Sequence, residues 1–135
     1  MAQKLPLNVS TFPKLRNGSY LYIDKTRAIY NLINGSPYSF LSRPRRFGKS
    51  LLVSTLEELF SGNKDLFEGL WIANSDYDWP EHPVIHLDFS LGNSAKKNLT
   101  FEQNVHSQLA AVAYQYSYSL NDTYGISLQL NDLIK

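Results

Sequence analysis

The chain has 135 residues, with 13 Lys and Arg against 12 Asp and Glu, so it has the length of one small domain and a net charge of only +1. That balance gives no global attraction for nucleic acid, and 43% hydrophobic with 19% charged residues is the composition of a folded globular chain. Zero cysteines exclude disulfides, thiolate metal sites and cysteine nucleophiles, and no apolar run is long enough for a signal peptide or a membrane span, so a soluble, cytoplasmic protein is expected.

Taken from the beginning, Tyr20 to Ile23 reads as a short extended piece, and Asp24 to Ile33 as a short helix. Asp24 would cap that helix, Ile29, Leu32 and Ile33 would line its inner face, and Gly35 would stop it. Tyr38 to Ser42 is aromatic and apolar enough for a buried strand. A long helix begins at Lys49, with Leu52, Leu56, Leu59 and Phe60 on one face and Gly62 as its stop. Leu66, Phe67, Leu70, Trp71 and Ile72 form an apolar cluster suited to the core, and Asn74 to Pro83 is a turn-rich connection whose acidic residues suit a solvated loop. Val84 to Phe89 reads as a second strand. His82 and His86 have the four-residue spacing of helical zinc ligands, but Pro83 between them removes the helix that this spacing needs. Thr100 and Gln103 fit a capping box before a helix with Phe101, Val105, Leu109, Val112 and Tyr116 at helical intervals, expected to pack on the sheet. Tyr114, Tyr116 and Tyr118 alternate as base-stacking residues would, but lack basic neighbours. Ser127 to Lys135 resembles the start of an amphipathic helix without a stop signal, as if the chain were truncated there.

Between the first strand and the long helix lie Arg43, Pro44, Arg45, Arg46, Phe47, Gly48, Lys49, Ser50 and Leu51. A strand, a short loop, Gly-Lys-Ser and a helix in one run is the layout of a phosphate-binding loop, or Walker A loop. The helix N-terminus offers unpaired N–H groups and partial positive charge. Gly48 lets the main chain approach a phosphate, Lys49 is placed to reach the terminal phosphates as the catalytic cation, and the Ser50 hydroxyl to ligate Mg2+ held by the nucleotide. The usual motif opens with a glycine five residues before Gly48, where this chain has Arg43. Arg43, Arg45 and Arg46 either add charge-assisted contacts to phosphate or pair with acidic residues elsewhere.

The run SRPRRFGKSLLVSTLEELFSG, preceded by YLYIDKT and followed by LFEGLWI and PVIHLDFS, resembles the bacterial AAA-ATPase-like proteins over nearly the whole chain. The resemblance implies that RPRRFGKS, with Arg43 for glycine, is the family's own form of the loop. It implies ATP and Mg2+ as ligands, and in longer relatives a PD-(D/E)XK nuclease-like domain beyond the ATPase region. It also implies that YIDKT packs beside the nucleotide, with Tyr22, Asp24 and Lys25 as walls of a base pocket, although a cap alone would account for Asp24.

The expected fold class is therefore α/β and P-loop NTPase-like, with a parallel sheet flanked by helices, and residues 1–135 forming the N-terminal part of one such domain. Such a sheet usually needs about five strands with crossover helices, and only two good ones are legible, so the domain is expected to be incomplete. An acidic pair at a strand end, needed for hydrolysis, is absent: Asp88 is followed by Phe89 and Ser90. The resemblance places that pair beyond PVIHLDFS. ATP binding with little turnover is the expectation. The alternatives are a nucleic-acid-binding or protein-interaction module using the basic loop without turnover, or a phosphotransferase with the same strand-loop-helix start.

Overall fold

A computed structural model describes residues 2–44, 48–89, 100–117 and 134. The chain divides into two compact units, Met1–Val84 and Ile85–Lys135.

The first unit is built on three helices: α1, Phe12–Asn17; α2, Thr26–Ile33; and α3, Lys49–Phe60. Two 3-10 turns follow, Lys64–Phe67 and Trp71–Asn74. Its core is Phe12, Ile29, Leu59, Phe67, Leu70 and Ile72, with Leu52, Leu56 and Leu66 packed against it at partial exposure. The Leu52, Leu56, Leu59 and Phe60 face of α3 is thus turned inward as its spacing requires, Leu59 being fully buried and the others half-buried. Phe12 meets Phe67 with ring centroids 4.7 Å apart, and Phe67 meets Trp79 at 5.1 Å. Each such buried ring contributes about 1.5–3 kcal/mol over its exposed state.

Polar contacts fix how these elements meet. The Phe12 N–H, one of the donors that the start of α1 leaves unpaired, donates to the Ser54 hydroxyl of α3 at 3.0 Å. Arg16, at the other end of α1, donates through Nε to the Leu66 carbonyl at 2.7 Å and through Nη2 to the Glu68 carbonyl. The start of α2 is tied to the second 3-10 turn. Asp24 Oδ1 accepts from the Thr26 N–H and hydroxyl at 2.8 and 2.6 Å, its Oδ2 accepts from the Trp71 N–H at 2.6 Å, and the buried Thr26 hydroxyl accepts from the Ile72 N–H at 3.1 Å. Helix α2 begins two residues later than its sequence suggests, with Lys25 at the N-cap position, and Asp24 serves its end from the residue before.

The expected sheet is not formed. Among the described residues there is no strand: Tyr38–Ser42 and Val84–Phe89 carry no regular secondary structure, and the only β-contact is an isolated parallel bridge from Lys4 to Tyr20. An α/β architecture with a parallel sheet is thereby overturned for this chain. The reason is that extended backbone becomes sheet only when a neighbour takes up its N–H and C=O groups, which periodicity within one segment cannot supply. Tyr38 and Phe40 accordingly stand 88% and 93% exposed, outside the core that the helices form.

In the second unit, α4 spans Phe101–Gln115. Its capping box is present in both halves: the Thr100 hydroxyl accepts from the Gln103 N–H at 3.3 Å, and the Gln103 side chain accepts from the Thr100 N–H at 3.0 Å. Val105, Leu109, Val112 and Ala113 are buried, whereas Phe101 and Tyr116 at the two ends are exposed. Among the described residues no sheet lies beneath this helix. It is tied to the backbone of Asp88, whose N–H donates to Gln108 Oε1 and whose carbonyl accepts from Gln108 Nε2, both at 2.7 Å. Tyr118 and all of Ser127–Lys135 except Ile134 lie outside the described residues.

The Asp24 node is testable. Thr26→Val keeps shape and removes the acceptor of the buried Ile72 N–H, so urea unfolding should show a loss of about 1–3 kcal/mol. Burial by itself would raise the Asp24 carboxyl, but the hydrogen bonds from Thr26 and Trp71, aided by Arg16, outweigh it and hold the group below the ordinary carboxylate value. A carboxyl depressed in the folded state lends stability above its unfolded pKa and loses it as pH falls through the folded one. Acidification below about pH 4 should therefore destabilise the wild type more than Asp24→Asn, narrowing the gap between their urea midpoints.

Candidate functional site

The loop before α3 is described at its two ends. Arg43 and Pro44 are exposed and outside any helix or strand; Arg45, Arg46 and Phe47 lie outside the described residues. Gly48 occupies the N-cap of α3 with φ 81° and ψ 19°, the left-handed conformation that costs a side-chain-bearing residue most. A Cβ at Gly48 would meet no described atom within 4 Å, so the glycine is required by backbone conformation rather than by lack of space.

Lys49 and Ser50 are the first two residues of α3 and both are exposed, while Leu51 is half-buried. The first turn carries no acidic residue, so nothing there opposes the partial positive charge of the helix end. The Gly48 carbonyl accepts from the Leu52 N–H at 3.0 Å, which starts the helical ladder and leaves the earlier N–H groups directed out of the helix end. One turn further, the buried Thr55 hydroxyl donates to the Leu51 carbonyl at 2.7 Å. Lys49 and Ser50 are thus adjacent and exposed at the N-terminus of α3.

Next to it lies a cavity of about 240 Å³. Among its wall residues, Arg43, Gly48, Leu51 and Leu52 lie next to the loop, Leu15 of α1 and Ile29 of α2 come from buried positions, and Tyr22 and Lys25 come from the segment before α2. The wall is mostly apolar. Tyr22 is half-buried, and its hydroxyl is pushed up by burial and by the Asp24 charge, against a hydrogen bond from the Lys25 backbone and the Arg16 charge. Of the three residues that the resemblance put at a base pocket, Tyr22 and Lys25 line this cavity; Asp24 is engaged at the start of α2 and does not.

The sequence left α1 unread, and with it Leu15 as a wall residue. Its signal was present, in Pro13 in the first turn with Phe12 and Leu15 three apart, but six residues are too short for periodicity to stand out. Thr55 was also missed, being a hydroxyl on an otherwise apolar face. Asp88 sits in the second unit, exposed, with its backbone held by Gln108. Among the described residues no three His, Asp or Glu gather as metal ligands, and no helix is long and apolar enough to cross a membrane.

Comparison with known proteins adds the wider context. The chain is 49% identical over 92 residues to a protein of Azotobacter chroococcum mcd 1 described as an uncharacterized protein in the vnfD 5' region. The alignment covers 67% of this chain but 18% of that protein, so the chain spans less than a fifth of its relative. No solved structure matches it. The family model AAA-ATPase-like, described as Predicted AAA-ATPase, matches residues 6–135. With the match covering nearly every residue, the chain belongs to the AAA-ATPase-like family of predicted AAA-ATPases.

Proposed function

We propose that this chain binds Mg-ATP through Arg43 to Leu51, as the nucleotide-holding part of an ATPase-like protein. Membership of the AAA-ATPase-like family supports the coarse role. The observation that carries the finer one is Gly48 in the left-handed conformation at the N-cap of α3, with Lys49 and Ser50 exposed directly after it. Backbone N–H groups and helix dipole at that point suit phosphate oxygens, and Gly48 puts no Cβ in their way. Lys49 supplies a full positive charge toward the terminal phosphates. Ser50 is a hard oxygen donor, the type that Mg2+ accepts alongside water and phosphate oxygens, so the residues present suit that ion.

The reading concerns binding. Bound Mg2+ would neutralise phosphate charge; the chain's own part is to hold and orient the triphosphate. None of residues 43–51 carries a carboxylate to activate water, so binding without steady hydrolysis is the expected behaviour.

Calorimetric titration of Mg-ATP should give binding that Lys49→Ala abolishes or weakens at least about tenfold, while circular dichroism shows both proteins folded. Absence of binding by the folded wild type would overturn the reading, and steady phosphate release that Lys49→Ala abolishes would overturn the expectation of binding without turnover. Gly48→Ala should destabilise the chain by about 1–2 kcal/mol through its positive φ alone, and should lower nucleotide affinity as the loop relaxes.

A further inference from the structure

We infer that Asn34–Gly35, at the end of α2, is a site of spontaneous modification, where the Asn34 amide is converted through a cyclic imide to aspartate and isoaspartate. The chain has two Asn-Gly pairs, Asn17–Gly18 and Asn34–Gly35, and both asparagines are exposed. Each pair stands at the C-terminal end of a helix, α1 in one case and α2 in the other. Glycine after asparagine is the reactive arrangement, because an attacking nitrogen with no Cβ beside it is unhindered. Sequence therefore makes the two pairs equal, and the folded chain separates them.

The glycine nitrogen must turn toward Cγ of the asparagine, so ties on that nitrogen and on the chain behind it oppose the reaction. Gly18 is tied on both counts. Its N–H donates to the Lys14 carbonyl at 3.1 Å, and the Ser19 and Tyr20 N–H groups donate to the Arg16 and Leu15 carbonyls, each at 3.3 Å. The Leu21 N–H then donates to the Lys4 carbonyl at 2.8 Å, beside the bridge from Lys4 to Tyr20. The Gly35 N–H meets the Leu32 carbonyl only at 3.4 Å, beyond the range of about 2.7–3.2 Å of a well-formed bond. Residues 36–42 follow outside any helix or strand, and Tyr38 and Phe40, 88% and 93% exposed, bring them little packing. The Asn34–Gly35 peptide plane therefore turns at lower cost than its counterpart.

Hydroxide and water are the only co-reactants. Hydroxide takes the Gly35 amide proton, the nitrogen attacks Cγ of Asn34, and the Cγ–Nδ2 bond breaks, Nδ2 leaving as ammonia with a proton from water. Water opening the imide at Cγ gives aspartate; opening at the main-chain carbonyl gives isoaspartate, with the chain rerouted through the side chain. Either product carries a new negative charge at the C-terminal end of α2, where the helix dipole disfavours it. That charge also falls beside a hydrogen-bonded pair. The Tyr30 hydroxyl donates to Asp76 Oδ1 at 2.6 Å and is pushed up mainly by that bond, against a hydrogen bond with the Asn34 side chain. A carboxylate at 34 loses the amide donor and brings like charge toward Asp76, so modification loosens the tie between α2 and the connection that follows the second 3-10 turn.

The test is incubation of the full chain in mildly alkaline buffer, with the peptides around the two pairs followed by mass spectrometry and isoaspartate detected by enzymatic methylation. Asn34 should convert at least about tenfold faster than Asn17 in the folded chain, since more hydrogen bonds must open at Gly18. In concentrated urea the two rates should come within about twofold, because those ties are then gone. Gly35→Ala should slow conversion at 34 and leave Asn17 unchanged. Equal rates in the folded chain, no conversion at 34, or aspartate at 34 without isoaspartate would each overturn the inference. The consequence is read from urea unfolding: Asn34→Asp should have a lower midpoint than Asn34→Ser, which removes the same amide without adding charge. Equal midpoints would overturn the loosening.

Discussion

The Asp24 carboxylate, with the Thr26 hydroxyl beside it, is the constraint on which the first unit turns. Together they take up four donors: the Thr26 N–H and hydroxyl at the start of α2, and the Trp71 and Ile72 N–H groups at the start of a 3-10 turn. The three N–H groups among them are donors that a helical start leaves unpaired, and a buried Ile72 N–H without an acceptor would be costly. Because they are satisfied, Leu70 and Ile72 close onto Phe12, Ile29 and Phe67, forming one side of the core. Arg16 repeats the device at the first 3-10 turn by donating to the Leu66 and Glu68 carbonyls. A small chain with little apolar area to bury thus gains its definition from paired backbone groups at short helical ends.

That frame positions the candidate site. Helix α3 is held on its inner face by Leu59 and Thr55, both fully buried or nearly so, and on its α1 side by the Ser54 hydroxyl. Its N-terminus is left in solvent with Gly48, Lys49 and Ser50, while Leu51 and Leu52 turn toward the cavity. The same helix therefore has a charged, exposed end and an apolar flank that lines the cavity. Asp24, which the resemblance put at the base, contributes indirectly: engaged at α2, it holds the neighbouring Lys25 and Tyr22 where they line the cavity.

Much of this was legible beforehand, and the missing sheet has a physical cause. The face of α3, the Thr100 and Gln103 capping box and most of the apolar cluster around Phe67 depend on contacts between residues close in sequence or on a helical period, and these appear as read, except that Trp71 of the cluster is 39% exposed and stands outside the core. The two strands do not become sheet, because pairing is a property of two segments and the sequence of one says nothing about the other. Asp88 shows the point sharply: its backbone is paired through the side-chain amide of Gln108, a partner that no strand pattern would suggest.

By itself the sequence determined the chemistry available: a glycine, a lysine and a serine in succession ahead of an amphipathic helix, with arginine where the motif's first glycine usually stands. Local rules suffice for that, since a helix start creates its own donors and dipole wherever it is placed. Only the tertiary structure decided that Gly48 takes φ 81°, that Arg43 shares a wall with Tyr22 and Ile29, and that Asp24 is spent on holding Trp71. Those outcomes join residues tens of positions apart, and which side chains meet is settled by the packing of the core.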